Sequence, residues 1–120
     1  MQDHDDNKPP TGDELARTLS ALASPHRLRI VATLASGSVH VSQLAREIGL
    51  SRPLVHMHLR RLEDAGLVTG RLELSDDGKA LKFFEVTPFA IHLTPELVVE
   101  AAKTLALDAE PEHTERKETP

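Results

Sequence analysis

The order of apolar residues predicts a mainly α domain of the α+β class, about five helices and one two-stranded β-hairpin spread over residues 11–107. Three observations carry this expectation. Ser, Thr and Pro open, and Gly closes, a succession of stretches whose apolar residues recur at helical spacing. Two of those stretches lie only about three residues apart, with Gly49 between them. After Gly66 the apolar spacing shortens to two, as in a strand pair.

Taken in order, Thr11 and Glu14 have the spacing of a capping box, and Leu15, Leu19 and Leu22 follow on one helical face, giving a first helix over about 12–23. Ser24-Pro25 is an N-cap followed by proline in the first helical position, and Gly37 supplies the stop. The second helix, about 25–36, is expected to bury Leu28, Val31 and Ala35, with Ile30 and Leu34 beside them. Val39-His40-Val41 suits a brief strand, after which Ser42 is the expected cap of a third helix that turns Leu44, Ala45 and Ile48 inward. Gly49 closes it. Ser51 then caps a fourth helix that tolerates Pro53 in its first turn and runs to Ala65. The third and fourth helices thus have the sequence form of a helix-turn-helix. Residues 67–74 alternate with one irregular step at Gly70, Asp76-Asp77-Gly78 makes the turn, and 80–86 returns as the second strand of a wing. Thr94-Pro95-Glu96 starts a closing helix over about 95–107. The polar stretches 1–10 and 108–120 are expected to be disordered tails.

Composition narrows the function classes. The chain has 120 residues, the size of one domain, and too few for a large catalytic architecture. Phe83, Phe84 and Phe89 are its only aromatic side chains, too few for a platform that stacks unpaired bases. No cysteine is present, which removes disulfides, thiolate metal sites and a cysteine nucleophile together. No apolar run approaches the roughly 20 residues that span a bilayer, and Met1 to Asp6 is acidic where a signal peptide is basic, so a cytoplasmic location without membrane attachment is expected. The net charge of −5 is unevenly distributed. Residues 1–20 carry two basic and five acidic side chains, 21–95 nine and seven, and 96–120 three and seven. Salt screens exposed charges beyond about 8 Å, so acidic ends do not cancel a basic face built by the middle of the chain.

The most informative segment is SRPLVHMHLRRLEDAGLV, residues 51–68. A step of 100° per residue puts Val55, Leu59 and Leu62 on one side of the helix with His58 at the margin. Pro53, His56, Met57, Arg60 and Asp64 fall on the other. That outward side begins at the helix N-terminus, where a recognition helix meets base edges in the major groove. Ser51, Arg52, Pro53, His56, Met57, Arg60 and Arg61 are therefore the candidate contacts on this helix. Arg52 and Arg60 suit guanine or phosphate because guanidinium bonds two acceptors at once, His56 donates to either, and Met57 and Pro53 suit a thymine methyl. Arg61 is assigned to phosphate. On the hairpin, which also carries Lys82, Arg71 and Lys79 are the expected phosphate contacts, since Asp76 and Asp77 at the tip repel phosphate.

The run LASPHRLRIVATL, followed by VSQLAREIGLSRPLVHMHLRRLEDAGLV, the hairpin and a closing helix, resembles the ArsR-type family of winged helix-turn-helix regulators over about residues 13–107. The resemblance implies a homodimer formed by the first and last helices, two recognition helices in successive major grooves of a palindromic double-stranded DNA operator, and repression. Independently, Leu97, Val98, Val99, Ala101, Ala102, Leu105 and Ala106 cover roughly 200° of the closing helix, whereas one core needs roughly 100°. A face therefore remains for a second copy. Leu15, Leu19, Leu22, Leu97, Val98, Ala101, Ala102 and Leu105 are the candidate dimerisation residues.

Metal-sensing members of the family carry cysteines in the third helix or Asp/His pairs along the last. Here VHVSQLAREI has no cysteine and residues 95–107 have no histidine, so neither site is carried over. The seven histidines, at 4, 26, 40, 56, 58, 92 and 113, include no i, i+4 pair, and no metal or other cofactor is expected. No nucleophile turn, phosphate-binding glycine loop or carboxylate pair points to an enzyme. The competing expectation is a winged-helix protein-interaction module without DNA contact, motivated by the acidic total and by Asp76-Asp77.

Overall fold

A computed structural model describes residues 8–105. The expected tail at 108–120, residues 1–7 of the amino-terminal tail and positions 106–107 of the closing helix lie outside the described residues. The elements run α1 Gly12–Leu22, α2 Pro25–Leu34, β1 Val39–His40, α3 Val41–Ile48, α4 Arg52–Asp64, β2 Val68–Leu74, β3 Ala80–Val86 and α5 Pro95–Ala102. The described residues form two compact units, 17–91 and 8–16 with 92–105. Among the described residues no helix is long and apolar enough to cross a membrane.

In the unit of residues 17–91 one aliphatic core draws Ile30 and Leu34 from α2, Val41, Leu44 and Ala45 from α3, and Val55, Leu59 and Leu62 from α4. Leu67, Val68 and Phe84 close it from the hairpin, and Ala21 from α1. The buried face of α2 is rotated from the expected one. Ile30 and Leu34 are fully inside and Val31 half-buried, whereas Leu28 is 53% exposed and Ala35 lies at the surface. Arg27 explains the rotation, because Arg27, Ile30, Val31 and Leu34 share one helical side and Arg27 is held inward by hydrogen bonds to Ala21 and His58.

The wing is part of a three-stranded antiparallel sheet, in the order β1-β3-β2, rather than the two-stranded ribbon expected. Val39 pairs with Phe84 and His40 with Phe83, so the short β1 satisfies backbone groups on the outer edge of β3 that would otherwise be unpaired. Helix α3 starts two residues earlier than expected. Val41 turns into the core, and His40 takes the capping position, its Nδ1 accepting the Gln43 N–H at 3.3 Å. Ser42 is thereby free for another partner. Gly49, at φ 82°, adopts the left-handed turn that lets α3 end and α4 begin within three residues.

In the second unit the expected capping box forms in full. The Thr11 N–H donates to Glu14 Oε1 at 3.0 Å and the Glu14 N–H to Thr11 Oγ1 at 3.1 Å. Helix α5 is shorter than predicted. Thr104 Oγ1 donates to the Ala101 carbonyl at 3.0 Å, and the Leu105 N–H bonds the Ala102 carbonyl instead, which tightens the chain out of the α-helical pattern. The same hydroxyl accepts the Gly12 N–H at 2.7 Å. Gly12 sits so close that a Cβ there would strike the Ala101 carbonyl and the Leu105 side chain.

Candidate nucleic-acid interface

The two sides of α4 are sharply different. Ser51 has the extended backbone of an N-cap, its hydroxyl accepting the Leu54 N–H at 3.4 Å, and Pro53 occupies the first turn where no intrahelical donor is needed. Val55, Leu59 and Leu62 are fully buried on the inner side. Pro53, His56, Met57, Arg60, Arg61 and Asp64 line one continuous open surface on the outer side, with Met57 47% exposed. Leu54, also exposed, flanks that surface one turn from Met57. Its position three residues before Met57 is the signal that identifies it.

Arg52, at the first position of α4, donates from Nη1 to Ser42 Oγ of α3 at 2.9 Å. It stands over an open groove of about 190 Å³ lined by His40, Ser42, His56, Leu81 and Lys82 among others. The groove joins the starts of α3 and α4 to the start of β3, and none of its lining side chains is acidic. Lys82 lies 5.6 Å from the centroid of the Phe84 ring, which fixes its stem against the sheet. Period-two spacing places Lys82 on the hairpin, but only the strand pairing reveals that it faces the same groove as Arg52.

The wing differs from expectation in how its other charges are used. Arg71 donates from Nε to Glu73 at 2.7 Å, pairs through Nη1 with Glu85 at 3.2 Å and reaches Ser38 Oγ at 3.5 Å. Those carboxylates hold its guanidinium in the charged form and occupy the donors that phosphate contact requires. At the tip, the Asp77 carboxylate turns back to accept from the Ser75 hydroxyl and the Lys79 N–H, which keeps its carboxyl below the ordinary range. Asp77 thus closes the turn, while the Lys79 side chain remains exposed.

Residues 24–69 match the family model described as bacterial regulatory protein, arsR family. An uncharacterized HTH-type transcriptional regulator of Methanocaldococcus jannaschii, MJ0229, is 36% identical over 78 residues, covering 65% of this chain and 81% of that protein. The chain belongs to the arsR family. A second relative, the biofilm growth-associated repressor of Agrobacterium fabrum, is 34% identical over 90 residues, covering 69% of this chain and 75% of the repressor. Among solved structures, the homodimeric winged helix-turn-helix DNA-binding domain Mb0332 of Mycobacterium bovis has a TM-score of 0.56 at 24% identity, covering 90% of this chain and 88% of that one. The fold of this arsR-family transcriptional regulator is a winged helix-turn-helix, with α3 and α4 as the helix pair and β2–β3 as the wing.

The candidate dimerisation residues of this arsR-family chain divide into covered and uncovered groups. Leu15 and Ala101 are buried, and Leu22 packs half-buried against the core of residues 17–91. Leu97 and Leu105 are half-buried. Leu19, Val98, Ala102 and the neighbouring Val99 are exposed. Among the described residues no group of three or more His, Cys, Asp or Glu is placed to hold a metal ion.

His58 corrects the sequence expectation most clearly. It lies not at the margin of α4 but inside, 8% exposed, with its Nδ1 2.9 Å from Arg27 Nη1. His56, two residues away, is exposed on the opposite side.

Proposed function

We propose that this chain is a homodimeric repressor that binds a palindromic double-stranded DNA operator, with the outer side of each α4 lying in a major groove. The observation that carries the reading is the open outer surface of α4, which presents two arginines, a histidine and a methionine uncovered by the rest of the described unit. Arg60, His56 and Met57, with Pro53, meet base edges, while Arg61 and the Arg52 to Lys82 groove meet phosphate. Ser51 adds the exposed start of the helix. Of the wing cations, Lys82, which faces the groove beside Arg52, is a better phosphate contact than Arg71, which two carboxylates already occupy. Self-association rests on Leu19, Val98, Val99 and Ala102, apolar and exposed on the first and last helices. Repression follows the printed function of the Agrobacterium relative, and the dimer agrees with the homodimeric Mycobacterium bovis neighbour.

Selection of bound duplexes from a random library, followed by fluorescence anisotropy at several salt concentrations, tests this. An enriched palindrome whose affinity falls steeply with salt is expected, because phosphate neutralisation releases counterions. Absence of any enriched duplex, or a flat salt dependence, would leave the protein-interaction reading in its place. That alternative draws on the wing, where Leu72 and Leu74 are 68% and 75% exposed.

A further inference from the structure

Behind the recognition helix lies a cluster of basic groups that duplex contact does not use. Arg27 links three pieces of chain. Its N–H donates to Ser24 Oγ at 3.2 Å at the start of α2, its Nε to the buried Ala21 carbonyl at the end of α1 at 2.7 Å, and its Nη1 to His58 Nδ1 on the inner side of α4 at 2.9 Å. Arginine has no acceptor, so the last bond requires the lone pair of Nδ1 and places the ring proton of His58 on Nε2. His26 of α2 lies against the same ring, with centroids 5.5 Å apart, and its Nδ1 is buried without a hydrogen-bond partner.

We propose that Arg27 and His58 form a proton-released latch that positions the recognition helix, holding α4 to α2 and the end of α1 only while His58 is neutral. This rests on the reading of α4 as the duplex-binding helix. Protonation turns Nδ1 into a second donor, so the Arg27 to His58 bond is lost and a guanidinium faces an imidazolium. The groups acting on His58 are Arg27 and His26 from α2 and Arg61 from α4 itself, while α1 offers only the Ala21 carbonyl, already taken by Arg27. All three side chains are basic. Burial first, then Arg27, His26 and Arg61, lower the pKa of His58 from its ordinary 6.5. Between that lowered value and 6.5 the unfolded chain binds more protons than the folded one, so folded stability is lost as pH falls through the same window.

The sign distinguishes this latch from titration at the interface. Positive charge added on the outer surface tightens binding to phosphate, whereas protonating His58 loosens the helix and weakens it. Anisotropy with a selected duplex is expected to show affinity falling about fivefold between about pH 7.5 and 5.5, a modest site-to-site coupling. His58→Asn, which keeps an acceptor near the Nδ1 position but does not titrate, is expected to remove that fall. Retention of the fall in His58→Asn, or tighter binding by the natural chain at low pH, overturns the latch. Nitrogen-detected imidazole spectra of the free natural chain give a second readout that needs neither the variant nor DNA. They are expected to show the Nε2–H tautomer of His58, titrating below the ordinary value together with the amides of residues 22–24 and α4. The other tautomer, or a titration confined to the ring, overturns the proposal. If no duplex binds at any pH, the functional reading fails, and these spectra alone decide the latch.

Discussion

Helix α4 and the β2–β3 hairpin carry three Lys or Arg side chains each, yet they leave different amounts of positive charge for a partner. On α4, neither Arg60 nor Arg61 belongs to an ion pair among the described residues. Asp64 follows Arg60 by one helical turn, but a basic residue placed N-terminal to its acidic partner is the weaker arrangement on a helix. On the hairpin, Glu73 sits two residues from Arg71 on the same strand face, and Glu85 lies diagonally across the ladder. Both close on the guanidinium. A helix spreads its side chains around a cylinder and leaves its outer cations open, whereas a two-stranded ribbon brings same-face neighbours within reach of one another. The count of cations is equal, but their availability is not.

The largest effect expected from breaking this contrast comes from the inner side of α4, on which the outer side depends. Leu59→Ala removes a fully buried side chain from the core that α2, α3, α4 and the hairpin share, and is expected to cost about 2–5 kcal/mol of unfolding free energy in a urea titration. Loss of duplex binding in that variant should track the unfolded fraction. Arg60→Ala leaves the core intact and is expected to cost roughly 1–3 kcal/mol in specific binding, with specificity relaxed at the position it reads. An unchanged affinity by anisotropy would remove Arg60 from the contact set.

The alternation of inner and outer residues on α4 was legible in the sequence because helix periodicity is a local property, and so were the Ser51 cap and the Thr11 to Glu14 capping box. What escaped depends on partners distant in the chain. The burial of His58 requires Arg27, thirty-one residues earlier, to supply a donor, and the same bond rotates α2 and exposes Leu28. The brief strand at Val39-His40 was expected, but its joining the wing as a third strand depends on its finding the edge of β3 more than forty residues later. Lys82 and Arg52 become neighbours around one groove only through that pairing. The early end of α5 turns on one threonine hydroxyl, whose competition for the Ala101 carbonyl no apolar pattern records.

Smaller effects sharpen the contrast within the wing itself. Lys82→Ala is expected to weaken binding evenly across duplex sequences and to reduce the slope of log affinity against log salt by about one, as for a single lost phosphate contact. A change confined to particular sequences would assign Lys82 to base contact instead.

Arg71→Ala is expected to change least. Its guanidinium already faces Glu73 and Glu85, so the variant removes one positive charge and leaves two carboxylates less well neutralised at the wing. Affinity should stay within about twofold and the salt slope should be unchanged, because no counterion is released from phosphate by a cation engaged elsewhere. The converse variant gives the comparison its edge. Glu73→Gln with Glu85→Gln frees the same guanidinium without altering the backbone ladder, and is expected to steepen the salt slope toward one additional phosphate contact. A marked loss of affinity in Arg71→Ala, with no steepening in the double variant, would mean that the ion pairs open when DNA arrives, and that the hairpin is as available as α4.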